Sequence, residues 1–219
     1  MNQFHLIFKN ERNFLLLSVA YTVFLLVMPI LFSFASANWI ISEQGPIERL
    51  SILAWLVVSA QFVFSGFRPQ VKWPMALLFA AFAAREADLH KAFTTTGMMK
   101  ITYYTRSAAP MSEKIIAGSV ALVFIGLLLY GAWLFLRFEI FRSGWRSHAG
   151  RWLILAGSLF FICKFLDRLP NVLLVEHGIA LPPMVDLYCS VFEEGWELLT
   201  PVILAWVAWT QKEPLAALE

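Results

Sequence analysis

Six apolar stretches dominate this chain, near residues 14–36, 47–67, 73–93, 114–136, 151–169 and 185–209. Each is long enough to cross ~30 Å of hydrocarbon at ~1.5 Å of helix rise per residue. The expected fold class is therefore all-α: an integral membrane bundle of six transmembrane helices, in one transmembrane domain over residues 1–219. Composition agrees, with 59% of residues hydrophobic and 15% charged, where a soluble domain has roughly a quarter charged. The expected surroundings are a lipid bilayer. The net charge of +2 is too small and too evenly spread to point to nucleic acid.

The N-terminal region has some features of a signal peptide. Lys9 and Arg12 precede an apolar run, and Ala35-Ser36-Ala37 resembles a small-residue cleavage site. The run is longer than the ~7–15 residues of a signal core, so a retained first helix is expected. Orientation follows the Lys/Arg bias of the short loops. Lys9 and Arg12, then Arg68 and Lys72, then Arg137, Arg142, Arg146 and Arg151 occupy alternate ends. Those ends are expected in the cytoplasm together with both termini. Lys91, Lys100, Arg106 and Lys114 in the third loop run against the rule.

Acidic groups at membrane depth are expensive and are usually retained for function. Glu48, Glu86, Asp88, Asp167, Glu193, Glu194 and Glu197 all lie in or at the ends of the apolar segments. Under the alternating topology they fall toward the outer, periplasmic side. Glu193 sits about eight residues into its helix, ~12 Å along the axis, with Glu197 a turn deeper. The first and fourth segments have no charge between Asn13 and Asn38 or between Ile115 and Leu136. They are expected to face lipid, leaving the second, third, fifth and sixth as an inner bundle around a polar pocket. Arg85 and Arg168 are expected to meet carboxylates from other helices.

Spacing suggests chemistry. Glu193 and Glu197 are four apart and share a helix face, as do Glu86 and His90. Glu86, His90, Glu193 and Glu197 thus form a candidate carboxylate–imidazole cage for a divalent metal ion. The spacing departs from the Glu-x2-His of di-iron bundles. Glu86, Asp88, Glu193 and Glu197 are the candidate catalytic groups, and Glu48, Arg49, Arg85, Asp167, Arg168 and Glu194 the candidate binding groups. Against the seven acids stand four deep bases, Arg49, Arg85, Lys164 and Arg168, leaving three negative charges in excess. Low dielectric does not hold such an excess ionised and unpaired. A bound cation, protonated carboxyls, or a salt-bridged network open to water are the three resolutions. Pro201 leaves the Glu197 carbonyl without its helical donor, and Gly195 permits close backbone approach. Cys163 and Cys189 are expected in the outer half, either as thiols embedded among apolar groups or as a disulfide. Two outer loops, 94–112 and 170–184, are long enough for lids or exposed connectors. Trp39, Trp73, Trp145 and Trp209 near segment ends read as interfacial anchors.

The chain has no Gly-x-Ser-x-Gly, P-loop or His-Glu-x2-His segment. The Glu193-Glu194 doublet is similar to that of membrane glutamic proteases, but Leu198 stands where that class has an arginine. Three segments together resemble a widespread type of small bacterial inner-membrane protein: Glu43-Gln-Gly-Pro-Ile-Glu48, Arg85-Glu-Ala-Asp88 and Glu193-Glu-Gly-Trp-Glu-Leu198. The resemblance covers the ends of the second, third and sixth segments. It implies a bacterial inner (plasma) membrane and one shared site, and it carries no activity.

Three functions follow as expectations. One is a periplasm-facing carboxylate pocket that binds a cation or acts on a lipid-linked or periplasmic small substrate. The second is a proton- or cation-coupled transporter, against which stands the thin polarity of the inner halves (Ser59, Gln61, Ser65). The third is a non-catalytic subunit or assembly factor whose charges are structural.

Overall fold

The computed structural model describes residues 10–42, 45–89, 94, 97–98 and 100–210. His5, Lys9, Glu43, His90, Lys91, Thr95 and Thr96 lie outside the described residues. The described chain is all-helical, with no strand. Its helices are α1 Glu11–Leu31, α2 Phe34–Ile40, α3 Pro46–Val63, α4 Pro69–Glu86, α5 Ile101–Arg106, α6 Met111–Leu136, α7 His148–His177 and α8 Pro183–Thr210. Proline sets three of the starts, at Pro46, Pro69 and Pro183, where its missing N–H is not needed and its φ is already helical. Four segments are long and apolar enough to cross a membrane: Glu11–Leu31, Pro46–Val63, Met111–Phe141 and His148–His177. These mark a membrane protein. Helices α4 and α8 carry more charge, Lys72, Arg85 and Glu86 on one and Asp186, Glu193, Glu194 and Glu197 on the other.

Two compact units make up the chain. Unit 1 holds α1, α2, the start of α3, most of α7 and most of α8 (Met1–Ser51 and Leu153–Trp206). Its core is Leu25, Met28, Ala37, Ile41, Ile47, Leu187 and Val191, with Tyr21, Phe192 and Trp196 packed against it. Helix α1 is therefore a core element and does not face lipid on every side as its lack of charge suggested. Leu25 and Met28 are both fully buried. Phe14 stacks on Trp206 with ring centroids 4.4 Å apart, and the Tyr188 hydroxyl donates to the Leu26 carbonyl at 3.2 Å. Gly195 makes the approach possible: a Cβ there would lie 2.3 Å from Leu25 Cδ1. The first apolar stretch also breaks earlier than its hydropathy suggests. Phe32 leaves the helical conformation, and Ser33 caps α2 by accepting from the Ser36 N–H at 3.2 Å.

Unit 2 holds the rest of α3, α4, α5, α6 and the turns up to Trp152 (Ile52–Trp152, with the chain from Val207). Trp55 stacks on Phe82 at 4.7 Å, and Ser59 donates to the Ala76 carbonyl at 2.7 Å. Helix α6 packs on α4 where Gly131 meets Leu78 and Met75. It is the least covered of the four long apolar segments, in line with its expected lipid exposure. A π-helical turn, Arg137–Phe141, and a 3-10 turn, Gly144–Arg146, follow it.

The two segments expected as long outer loops differ. In the first, α5 is tethered to the start of α6. Tyr103 is fully buried and its hydroxyl donates to Glu113 Oε1 at 2.6 Å. Lys114 Nζ donates to the Tyr104 and Ser107 carbonyls at 3.2 and 2.9 Å. Burial and the Glu113 hydrogen bond push the Tyr103 phenol up to about 12. The second is much shorter than expected, because α7 continues through Pro170 to His177. Gly178, at φ +66, ends the helix in the left-handed conformation that glycine adopts without strain.

Candidate functional site

The acidic stripe of α8 results from its own register. Tyr188, Phe192 and Trp196 recur every four residues and form an aromatic ladder, with centroids 6.3 and 4.8 Å apart. Phe192 and Trp196 lie against the unit 1 core. Glu193 and Glu197 follow them by one residue, so they form a parallel stripe rotated by ~100°. The deeper of the two meets α7, where Lys164 Nζ forms an ion pair with Glu197 Oε1. The Glu197 side chain is 11% exposed and the Lys164 side chain 30%. Cys163, next to Lys164 in the chain, is fully buried. Cys189 is also buried. Both cysteines are free thiols, so the disulfide alternative is set aside.

The other expected site residues have different surroundings. Glu48 is half-buried in the first turn of α3, where a carboxylate complements the helix dipole. Arg49 is exposed beside it. Asp167 and Arg168 are exposed on α7, and neither forms an ion pair with a described residue. Glu86 and Asp88 belong to unit 2, at the end of α4. Arg85 Nη1 lies 3.6 Å from Glu86 Oε1, a neighbour on its own helix. That replaces the inter-helix pairing expected for Arg85, and Arg168 lacks its expected partner among the described residues. Helix α4 stops at Glu86, with Ala87 and Asp88 in a turn, and residues 90–93 lie outside the described residues. Asp88 takes φ +51, a left-handed conformation that Asp tolerates better than most residues, and its N–H bonds the Arg85 carbonyl at 3.0 Å.

The expected metal cage of Glu86, His90, Glu193 and Glu197 is not complete among the described residues. Among the described residues no group of three or more His, Cys, Asp or Glu side chains is placed to hold a metal ion. His90 lies outside those residues. Glu197 already has a cation, the Lys164 ammonium. Pro201 sits fully buried inside an unbroken α8. One turn of backbone is supported there by Thr200, whose hydroxyl donates to the Trp196 carbonyl at 2.9 Å.

Two features were missed in the sequence. Lys164 was counted as a base but not assigned to the site. The signal was a lysine between Cys163 and Phe165 in an apolar helix, which needs a carboxylate partner. Glu139 was overlooked because it lies beyond the apolar stretch, yet it is only 5% exposed in the turn after α6. Among the described residues neither of its oxygens has a hydrogen-bond partner.

No family model, curated protein or solved structure matches this chain. What fold and site define is a class: an all-helical membrane protein with a lysine-paired acidic site between two of its helices.

Proposed function

We propose that the chain is a six-span bacterial inner-membrane protein with both termini in the cytoplasm, and that its α7–α8 site binds a cationic group from the periplasmic side. In this arrangement α4 and α8 complete the six spans. They measure ~27 and ~42 Å at 1.5 Å per residue, enough to cross with their charged ends at the interface. The observation that carries the reading is the Lys164–Glu197 ion pair between α7 and α8, with Glu193 one turn away on the same stripe. Carboxylates on this stretch of α8 attract positive charge, and low dielectric strengthens that attraction.

Lys164 acts as a tethered internal counter-ion. Its four-carbon stem is flexible, so an external cation competes with it for Glu197. The absence of a three-ligand metal cluster among the described residues favours an ammonium-bearing small molecule or lipid headgroup over a divalent metal. Such a ligand belongs to the lipid-linked or periplasmic substrates expected from the sequence. The test is thermal unfolding of the purified chain in neutral detergent, titrated separately with ethanolamine and Ca2+. A ligand present at 100 times its Kd stabilises the folded state by about 2.7 kcal/mol. Ethanolamine should stabilise the wild type and leave Glu193→Gln and Glu197→Gln unmoved. Stabilisation that persists in both variants, or none in the wild type, overturns the proposal.

A further inference from the structure

One end of unit 2 gathers three tryptophans, each covered by a cation. Lys72 Nζ lies 5.3 Å from the Trp73 ring centroid, Arg137 Cζ 5.2 Å from Trp133, and Arg146 Cζ 4.8 Å from Trp145. Helix packing brings these pairs to the same end. The Tyr130 hydroxyl donates to the Gln70 carbonyl at 3.0 Å, and Gly131 seats against Met75 and Leu78. The start of α4 therefore lies beside the end of α6. Gly144, in the turn that carries Trp145 and Arg146, packs on Phe138.

The three rings are 56%, 50% and 51% exposed, although each is large and apolar. Lys72, Arg137 and Arg146 form no ion pair with a described residue. Glu139, the acid between the two arginines in sequence, is buried and forms no ion pair with them. Ile140 and Phe141, between the arginines, are 63% and 82% exposed. Exposed indole rings beside bare apolar side chains suit the level where hydrocarbon gives way to headgroups. A cation over an indole face keeps its N–H groups pointing outward, and a guanidinium in that position still accepts a phosphate in its fork.

We infer that this end of unit 2 is a binding site for the phosphodiester headgroup of an anionic phospholipid. Lys72, Arg137 and Arg146 supply the charge, and Trp73, Trp133 and Trp145 hold those cations at headgroup depth. The inference rests on the membrane reading of the four apolar helices but is independent of the acidic site. It also agrees with this end being cytoplasmic, where basic residues near the bilayer attract acidic lipid.

The test uses the full chain in neutral detergent, titrated with phosphatidylglycerol, with phosphatidylcholine of the same acyl chains, and with inorganic phosphate. Retained lipid is counted by native mass spectrometry, and tryptophan fluorescence follows binding. Phosphatidylglycerol should bind and phosphatidylcholine should not. Each cation removed should weaken binding about fivefold, and Lys72→Gln/Arg137→Gln/Arg146→Gln together about a hundredfold. Arg106→Gln, in the third loop, should bind as wild type. A triple variant that keeps wild-type affinity while remaining folded overturns the site. Equal binding of both lipids overturns the role of charge, and saturation by inorganic phosphate alone overturns the lipid assignment. Failure of the chain to enter bilayers at all would instead refute the membrane reading, which reconstitution measures separately.

Discussion

Replacing Gly195 by alanine tests how α1 is held against α8. The added Cβ would sit 2.3, 2.6 and 3.0 Å from Leu25 Cδ1, Cδ2 and Cγ. Three atoms of one side chain are involved, including its branch point, so a single methyl rotation does not clear the clash. Leu25 is fully buried and has no free space to turn into. Overpacking of this kind costs about 1–3 kcal/mol. Alanine returns up to about 1 kcal/mol of helix propensity over glycine, leaving a net loss of about 0–2 kcal/mol. Leu25→Ala alone should cost about 2–5 kcal/mol through the cavity it opens. In the double variant the new methyl fills part of that cavity, so the two effects should fall short of their sum by about 1 kcal/mol or more. Thermal and denaturant unfolding in detergent, followed by helical circular dichroism, reads all four corners of the cycle. A Gly195→Ala variant at least as stable as wild type, with strict additivity toward Leu25→Ala, would refute the packing of α1 on α8.

Lys164→Met or Glu197→Gln should each destabilise by about 1–3 kcal/mol, less than the ~3–5 of a dry pair because Lys164 keeps 30% exposure. The double variant should recover part of that loss, and additive single effects in the same unfolding assay would count against the pair. Gly150→Ala should be far more damaging than Gly131→Ala. Its Cβ would fall 2.0 Å from the Gly144 carbonyl oxygen, which is backbone, whereas Gly131 meets only the tip of Leu78 at 2.9 Å. Comparing folded yields after detergent extraction decides this, and equal yields would contradict it. Tyr103 should resist ionisation, since burial and Glu113 raise its phenol from 10.0 to about 12. Because the neutral form is favoured in the fold, its contribution is complete below pH 10 and is lost as pH climbs through about 12. Tyrosinate absorbance of wild type minus Tyr103→Phe should show that late step, and a difference titrating near pH 10 would refute it.

The positions of the six long helices were legible because each apolar run needs about twenty residues and carries turn residues at its ends. The helices beginning at Pro46 and Pro183 start within about two residues of the expected positions, whereas α4 starts at Pro69, well before the expected residue 73. The environment of α1 was not legible. A charge-free helix suits lipid and protein interior equally, since lipid tails are as apolar as leucine. Only Gly195 on the partner helix hinted at a close approach. The end of α7 was misplaced because Pro170 reads as a stop. Within a membrane helix the freed carbonyl is satisfied locally, and the helix runs on to a left-handed Gly178. In the acidic site, the four-residue spacing correctly put Glu193 and Glu197 on one stripe. Spacing along one helix does not identify the partner across the gap, which is why Lys164 was counted but not placed.

The most direct measurement of the cation site is calorimetric titration of ethanolamine into the wild type, Lys164→Met and Glu197→Gln in detergent. If Lys164 is a tethered counter-ion that competes with the ligand for Glu197, removing it should tighten binding, while Glu197→Gln should abolish it. Equal weakening in both variants would show that Lys164 and Glu197 form a structural pair only, and would contradict the account.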